Sequence, residues 1–240
     1  MNYSVIVPCY NEARNLPLCA LRLLEALDAG LAGKDFEVLF VCDGATDNTL
    51  DLLHTINHPR TRVLGYEKNQ GKGYAVRYGM LQAKGDIRLF CDCDLAYGTD
   101  AVLAMLQKME QEQCPICIAS RRIHPEGFAG YTLSRKIIST AYYCLLRIIT
   151  GLSTTDSQSG LKAFSGEAAE AIFSLAEVNR FAFDVELLLI GKKLGYRVAE
   201  MPAKIIENSP SSISMSDPFK MLRDMLRIRR RVRKMKLNHK

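Results

Sequence analysis

Five short apolar runs punctuate the first 120 residues: YSVIVP, FEVLFVC, RVLGYE, DIRLFC and ICIAS. Each is rich in β-branched or aromatic residues, the composition of a strand. Helical patterns lie between them, over 12–28, 46–56, 71–83 and 99–112. Strand and helix in alternation predict βαβ units, hence an α/β fold with a mostly parallel sheet flanked by helices. The second half is more helical, with helices expected over 133–150, 166–176 and 182–194 and a late strand near Arg197–Ile206. At 240 residues the chain is long enough to bury a sizeable core.

In such sheets ligands bind beyond the carboxyl ends of the strands. That rule gathers polar residues that are scattered in sequence. The first strand runs into Pro8-Cys9-Tyr10-Asn11-Glu12, the second into Cys42-Asp43-Gly44-Ala45-Thr46-Asp47, and the fourth into Asp92-Cys93-Asp94. We expect these clusters to share one site. In an extended segment Asp92 and Asp94 face the same side. Two like charges that close raise each other's pKa unless a cation lies between them. Their hard oxygens suit Mg²⁺ or Mn²⁺, which keep positions open for water and phosphate; a solvated turn is the plainer reading. Asn69-Gln70-Gly71-Lys72-Gly73 places a lysine at the start of a predicted helix. An anion is favoured there, although a merely solvated lysine would have the same pattern.

Other chemistries lose support. Gly65 lies six residues before Gly71, and Gly73 fills the position where a Walker A loop needs Ser or Thr. A dinucleotide-type G-x-G-x-x-G is interrupted by Val76. Cys9, Cys42, Cys91 and Cys93 sit in or beside apolar runs, where a free thiol acts as a small hydrophobe. Cys114-Pro-Ile-Cys117 lacks the second pair that a zinc site needs. A reducing, cytoplasmic setting is expected. The N-terminus has no basic export segment, and no stretch reaches the roughly 18 apolar residues of a membrane span. Charge is uneven: residues from Lys220 onward carry a net +9 and residues 1–219 a net −3. We therefore divide the chain into a catalytic domain, 1–215, and a basic amphipathic helix, 216–240.

The motifs PCYNE, CDGATDNT, NQGKGYAVRYG, CDCDL, DSQSGLKAF and RFAFDVELL, in that order, resemble the signature series of family 2 glycosyltransferases with the GT-A fold. More narrowly they resemble the dolichyl- or polyprenyl-phosphate sugar synthases, over about residues 3–210. The resemblance implies that Pro8, Tyr10, Glu12 and Asp43 cradle the base and ribose of a nucleotide sugar. It puts Lys72 near the donor and gives Asp92 and Asp94 the metal and diphosphate. Arg121, Arg135 and Ser139 match positions that bind the acceptor phosphate. Asp156, Gln158 and Lys162 fall in the active-site loop motif, and Asp184 and Glu186 line the site. Cys42 stands where DDGS has its first Asp, Ala45 where it has Ser, and Leu161 where Phe is common. Ala96 replaces a Gln found in mannosyl-transferring relatives, and the pattern leans toward the glucosyl branch.

A lipid phosphate is anionic at neutral pH and needs no strong general base. It needs cations beside the anomeric carbon, and Arg offers phosphate a planar fork of donors. A hydroxyl acceptor would need a carboxylate base, for which Asp156 is the candidate. The C-terminal segment reads as an N-cap at Asp217, Pro at N1, and a helix with Phe219, Leu222, Met225, Leu226 and Val232 on one face and cations on the other. That pattern fits the surface of an anionic membrane; packing on the core or on a sister subunit is the alternative. Nucleic acid is not expected, because no aromatic platform accompanies the basic residues. Ile137–Ile149 is a second interfacial candidate, with its tyrosines at headgroup level. The expectation is an inverting, peripheral membrane hexosyltransferase at the inner face of a membrane, with a nucleotide sugar as donor and polyprenyl phosphate as acceptor. The alternatives are a saccharide hydroxyl as acceptor, a sugar-nucleotide nucleotidyltransferase, or a non-catalytic binding protein.

Overall fold

The structure, a computed structural model, describes residues 2–129, 131–180, 182–206 and 218–236; the side chains at 134, 135, 138 and 218–221 fall outside that description. Its strands are β1 (Tyr3–Cys9), β2 (Phe36–Asp43), β3 (Thr61–Tyr66), β4 (Ile87–Cys91), β5 (Ile116–Ser120), β6 (Leu161–Ser165) and β7 (Val198–Pro202). They form one sheet in the order β3-β2-β1-β4-β6-β5-β7. The pairs among β3, β2, β1 and β4 are parallel, as is β5 with β7, while β6 is antiparallel to both neighbours.

The expected α/β sheet is present, and burial explains its sequence. Helices cover both faces, so β1 and β2 read as continuous apolar runs instead of alternating ones. On one face Leu16, Leu23 and Leu27 of α1 (Leu16–Gly30) meet Met105 and Leu106 of α4 (Gly98–Glu112). On the other, Ala75, Val76 and Met80 of α3 (Lys72–Gln82) pack with Ile172 of α6 (Gly166–Phe173) and Leu188 of α7 (Phe183–Lys193). A short α2 (Thr49–His54) follows β2, and α5 (Leu133–Thr150) lies between β5 and β6. The expected boundaries miss β6. Its five residues carry Lys162, which is fully buried.

The C-terminal helix α8 (Pro218–Lys234) departs from expectation. Met225, Ile228 and Val232 are buried against α7 and α5. Lys193 Nζ donates to the carbonyls of Val232 (2.7 Å) and Arg233 (2.9 Å), capping the last turn where free C=O groups favour a cation. Arg231 pairs with Glu177 (2.6 Å) and Glu186 (2.5 Å). Among the described residues of the apolar face, Met225, Ile228 and Val232 are thus taken into the core, Leu222 is half-buried and Leu226 stays exposed beside the cations. The helix therefore packs on the core, the alternative given for it above. The linker 207–217, including the predicted cap at Asp217, lies outside the described residues.

Candidate active site

The loops after β1, β2 and β4 meet where the strand order reverses, beside β1. Pro8 can occupy a central strand because β1 pairs with β4 only as far as Ile6. Asn11 holds φ at +54° and ties the first loop to the second: its Oδ1 accepts the Thr46 N–H at 2.8 Å. The Glu12 and Ala13 N–H groups donate to Thr49 Oγ1 (2.8 Å) and Asp47 Oδ2 (3.2 Å). Leu95, at φ +48°, turns the chain sharply after Asp94. Non-glycine residues held with positive φ mark segments that their surroundings over-determine.

Asp43 is buried and accepts from Asn69 Nδ2 (2.9 Å), Gln70 N (2.7 Å) and Gly71 N (2.9 Å). It thereby fixes the loop that opens α3 and presents Lys72. The Lys72 ammonium pairs with Asp92 Oδ1, a buried oxygen for which it is the charged partner. Burial works against the Lys72 charge, but Asp92, Asp184 and Asp94 outweigh it and raise the lysine pKa. Asp94 Oδ1 accepts the Ala96 N–H at 3.0 Å. Gly160 lies directly over this pair: a Cβ there would stand 2.2 Å from Asp92 Oδ2. Behind it, Lys162 Nζ bonds Asp184 Oδ1 at 2.6 Å and the Ser159 carbonyl at 2.5 Å. Burial raises the Asp184 pKa even with Lys162 and Lys72 nearby. Glu12 is raised too, first by burial, and accepts from Asn15 Nδ2.

A second cluster sits at the end of β5. Arg121 grips Asp156 through Nε (2.6 Å), Nη2 (2.8 Å) and its backbone N–H (3.1 Å). Arg122 points elsewhere. Its Nη2 donates to the Ser139 carbonyl (2.7 Å) and Oγ (3.2 Å), and the guanidinium lies 4.3 Å from the Tyr143 ring centroid. Both arginines line a small cavity with Ser139, Tyr142, Gln158 and Phe128. Tyr97, at the start of α4, lies between the clusters. Burial raises its pKa; Arg121 works against that, while Asp156 and Asp92 add to it, so the phenol keeps its proton.

Tyr10, Glu12, Asp92 and Asp94 thus lie on the converging loops, Pro8 and Asp43 at the ends of β1 and β2 and Lys72 at the start of α3, with Lys162 and Asp184 behind them. Arg121, Asp156, Gln158 and Ser139 gather in the second cluster. Arg135 lies on α5, with its side chain outside the described residues. Glu186 is a correction. Two residues along a helix from Asp184 it faces the other way, buried, and accepts from Glu177 N (3.0 Å), Val178 N (2.8 Å) and Arg231. It anchors α8 and the 177–180 loop instead of lining the site. Arg122 and Tyr97 are the residues that sequence reasoning missed. The doubled arginine of ASRR was the available signal for the first; Tyr97 had none beyond following Asp94.

The donor set fits a hard divalent cation. Two carboxylates share one turn, and a buried oxygen of Asp92 already holds a positive group, the Lys72 ammonium.

A model of "Glycosyl transferase family 2" matches residues 4–173. A dolichyl-phosphate beta-glucosyltransferase of Drosophila melanogaster is 33% identical over 227 residues, covering 89% of this chain and 70% of that protein. The Homo sapiens protein of that name is 31% identical over 245 residues, covering 95% and 75%. Among solved structures, the UDP complex of Mycobacterium tuberculosis glucosyl-3-phosphoglycerate synthase superposes with a TM-score of 0.68 at 18% identity, covering 99% of this chain and 82% of that one. Mannosyl-3-phosphoglycerate synthase of Rubrobacter xylanophilus gives 0.68 at 17%, covering 100% and 77%. These likenesses show the fold. A further complex of the mycobacterial enzyme contains Mn²⁺ with UDP.

Proposed function

Because the chain belongs to glycosyl transferase family 2, we propose that it moves a hexose from a nucleotide sugar to a polyprenyl or dolichyl phosphate, inverting the anomeric carbon. Glucose is the first sugar to test, given the dolichyl-phosphate beta-glucosyltransferases it resembles. The observation that carries the acceptor class is the state of Asp156. A saccharide hydroxyl must lose a proton as it attacks, and the base would have to be free to take it. Asp156 is instead engaged by three donors of Arg121. A phosphate oxygen is already anionic and asks only for positive groups to hold it in line with the sugar. Arg121 and Arg122 supply them beside Ser139, with Arg135 on the same helix as that serine.

On the donor side, Pro8, Tyr10, Glu12 and Asp43 border the base and ribose, and Lys72 meets the diphosphate. Asp92 and Asp94 would hold Mg²⁺ or Mn²⁺, which when bound neutralises charge growing on the leaving nucleoside diphosphate. Lys72 must then leave Asp92 for a phosphate oxygen, a short move for a flexible ammonium. Lys162 and Asp184 stay paired behind, keeping the wall of the site from collapsing onto Asp92. With a lipid acceptor, the protein works as a peripheral protein on the inner face of a membrane.

A thermal-shift panel of UDP, GDP, UDP-glucose and GDP-mannose, each with and without Mn²⁺, tests the donor side. A ligand that binds only the folded state raises the melting temperature by mass action. We expect a metal-dependent rise with one nucleotide family. Well-folded protein that responds to none of them would overturn the assignment.

A further inference from the structure

We propose that α5 is the surface by which this protein lies on an anionic lipid bilayer, with α8 beside it supplying charge without insertion. The inner face of α5 turns Ser139, Tyr142 and Tyr143 to the arginine cavity and Leu146 and Ile149 to the core. The tyrosines expected at headgroup level therefore face inward. The outer face is apolar. Leu133, Ile137, Leu145 and Ile148 are exposed at 75, 60, 40 and 78%, and Ala141 and Cys144 lie exposed among them. Positions 133, 137, 141, 144 and 148 recur every three or four residues, so they form one stripe along the helix. Contiguous exposed apolar surface of this kind marks a contact with something else.

Charge identifies the occupant. Lys136 and Arg147 stand exposed on one flank of the stripe, and α5 contains no acidic residue. Packed against it, α8 exposes Arg223, Arg227, Arg229, Arg230, Arg233 and Lys234. A second copy of this chain would bring the same cations to the same place and be repelled. An anionic bilayer accepts both features at once, apolar side chains into the acyl boundary and cations against the phosphates. The helix that meets the lipid is then also the wall of the cavity holding Arg121 and Arg122. An acceptor phosphate would reach those arginines without leaving the membrane surface. This deepens the lipid-phosphate reading and rests on it for the acceptor's route, but not for the surface itself.

The test is sedimentation of the full chain with vesicles of phosphatidylcholine containing about one-third phosphatidylglycerol and no prenyl phosphate. The parent protein should sediment, less so as salt rises. The double variant Ile137→Asp/Ile148→Asp should lose about tenfold or more in partitioning. Its melting temperature and its transfer to a short, water-soluble prenyl phosphate should match the parent. If the parent stays in solution, or the variant sediments equally well, the proposal fails. It fails also if the variant turns a dimer into a monomer by light scattering while vesicle binding is unchanged, since a second copy then covers the stripe. If the variant loses vesicle binding while even the parent transfers nothing to the soluble acceptor, the surface stands and the lipid-phosphate reading falls.

Discussion

Two Asp–cation pairs divide this molecule. On the proposed donor side Lys72 meets Asp92 through one contact, and the side chains are 43% and 32% exposed. On the proposed acceptor side Arg121 meets Asp156 through a fork plus a backbone N–H, at 23% and 7% exposed. The first pair is exchangeable: a point-charge ammonium on a flexible stem can yield its place to a divalent cation and move to a phosphate. The second is committed, because a planar bidentate pair with its lone pairs satisfied gives up much when either partner leaves. The difference teaches where chemistry and where architecture sit. On the reading proposed above, the loosely held carboxylate belongs to the reacting end, and the tightly held one shapes the cavity proposed for the acceptor.

The sharpest way to break this contrast is to remove each side in turn. Asp94→Asn or Asp92→Asn should lower turnover by about a thousandfold or more, with the melting temperature nearly unchanged. Turnover retained in either would end the assignment of these carboxylates to the donor diphosphate. Asp156→Ala should act in the opposite manner. It strands Arg121 in a mostly buried site and should cost about 3 kcal/mol in a denaturant titration. Unchanged stability with abolished turnover would make Asp156 a base and reverse the comparison.

A smaller probe moves Asp92 without deleting it. Gly160→Ala places a methyl group 2.2 Å from where Asp92 Oδ2 now lies. About a tenfold fall in kcat is expected, since small misplacements of a reacting constellation are costly. A variant as active as the parent would mean that Asp92 tolerates displacement. The smallest effect concerns Glu37 on β2, at the opposite end of the strand from the site. Burial works against its charge, but Arg62, the Lys84 N–H and Ser4 outweigh that and hold its pKa below the usual 4.5. Its contribution to stability is present above that value and is lost as pH falls through the lowered folded pKa. Glu37→Gln should therefore flatten the acid limb of the stability curve and leave turnover at neutral pH alone.

The parallel half was legible because burial on both faces writes itself as apolar runs, and because the rule about strand ends gathers Glu12, Asp43, Asp92 and Asp94 without any contact being known. Strand β6 was not, since a lysine in a five-residue run reads as polar surface. Asp184, a helix away in sequence, together with the Ser159 carbonyl makes Lys162 tolerable at full burial. Arg121 and Arg122 show a second limit. Neighbours at a strand end point apart, and nothing in the residue types says which one takes the carboxylate. For α8 and α5 the amphipathic pattern was evident but not its orientation. Tertiary contacts turned Met225, Ile228 and Val232 inward and left Ile137 and Ile148 outside. The role read for Glu186 failed for a similar reason: two residues along a helix reverse a direction that a motif treats as shared.

The most direct test of the central claim is transfer itself. Purified protein would be given radiolabelled UDP-glucose, Mn²⁺ and dolichyl phosphate, and the label extracted into organic solvent would be followed for the parent and for Asp94→Asn. The expected result is an acid-labile glucosyl lipid phosphate made by the parent alone. Nucleotide sugar that binds but passes its sugar only to a saccharide hydroxyl, with dolichyl phosphate inert, would contradict the claim.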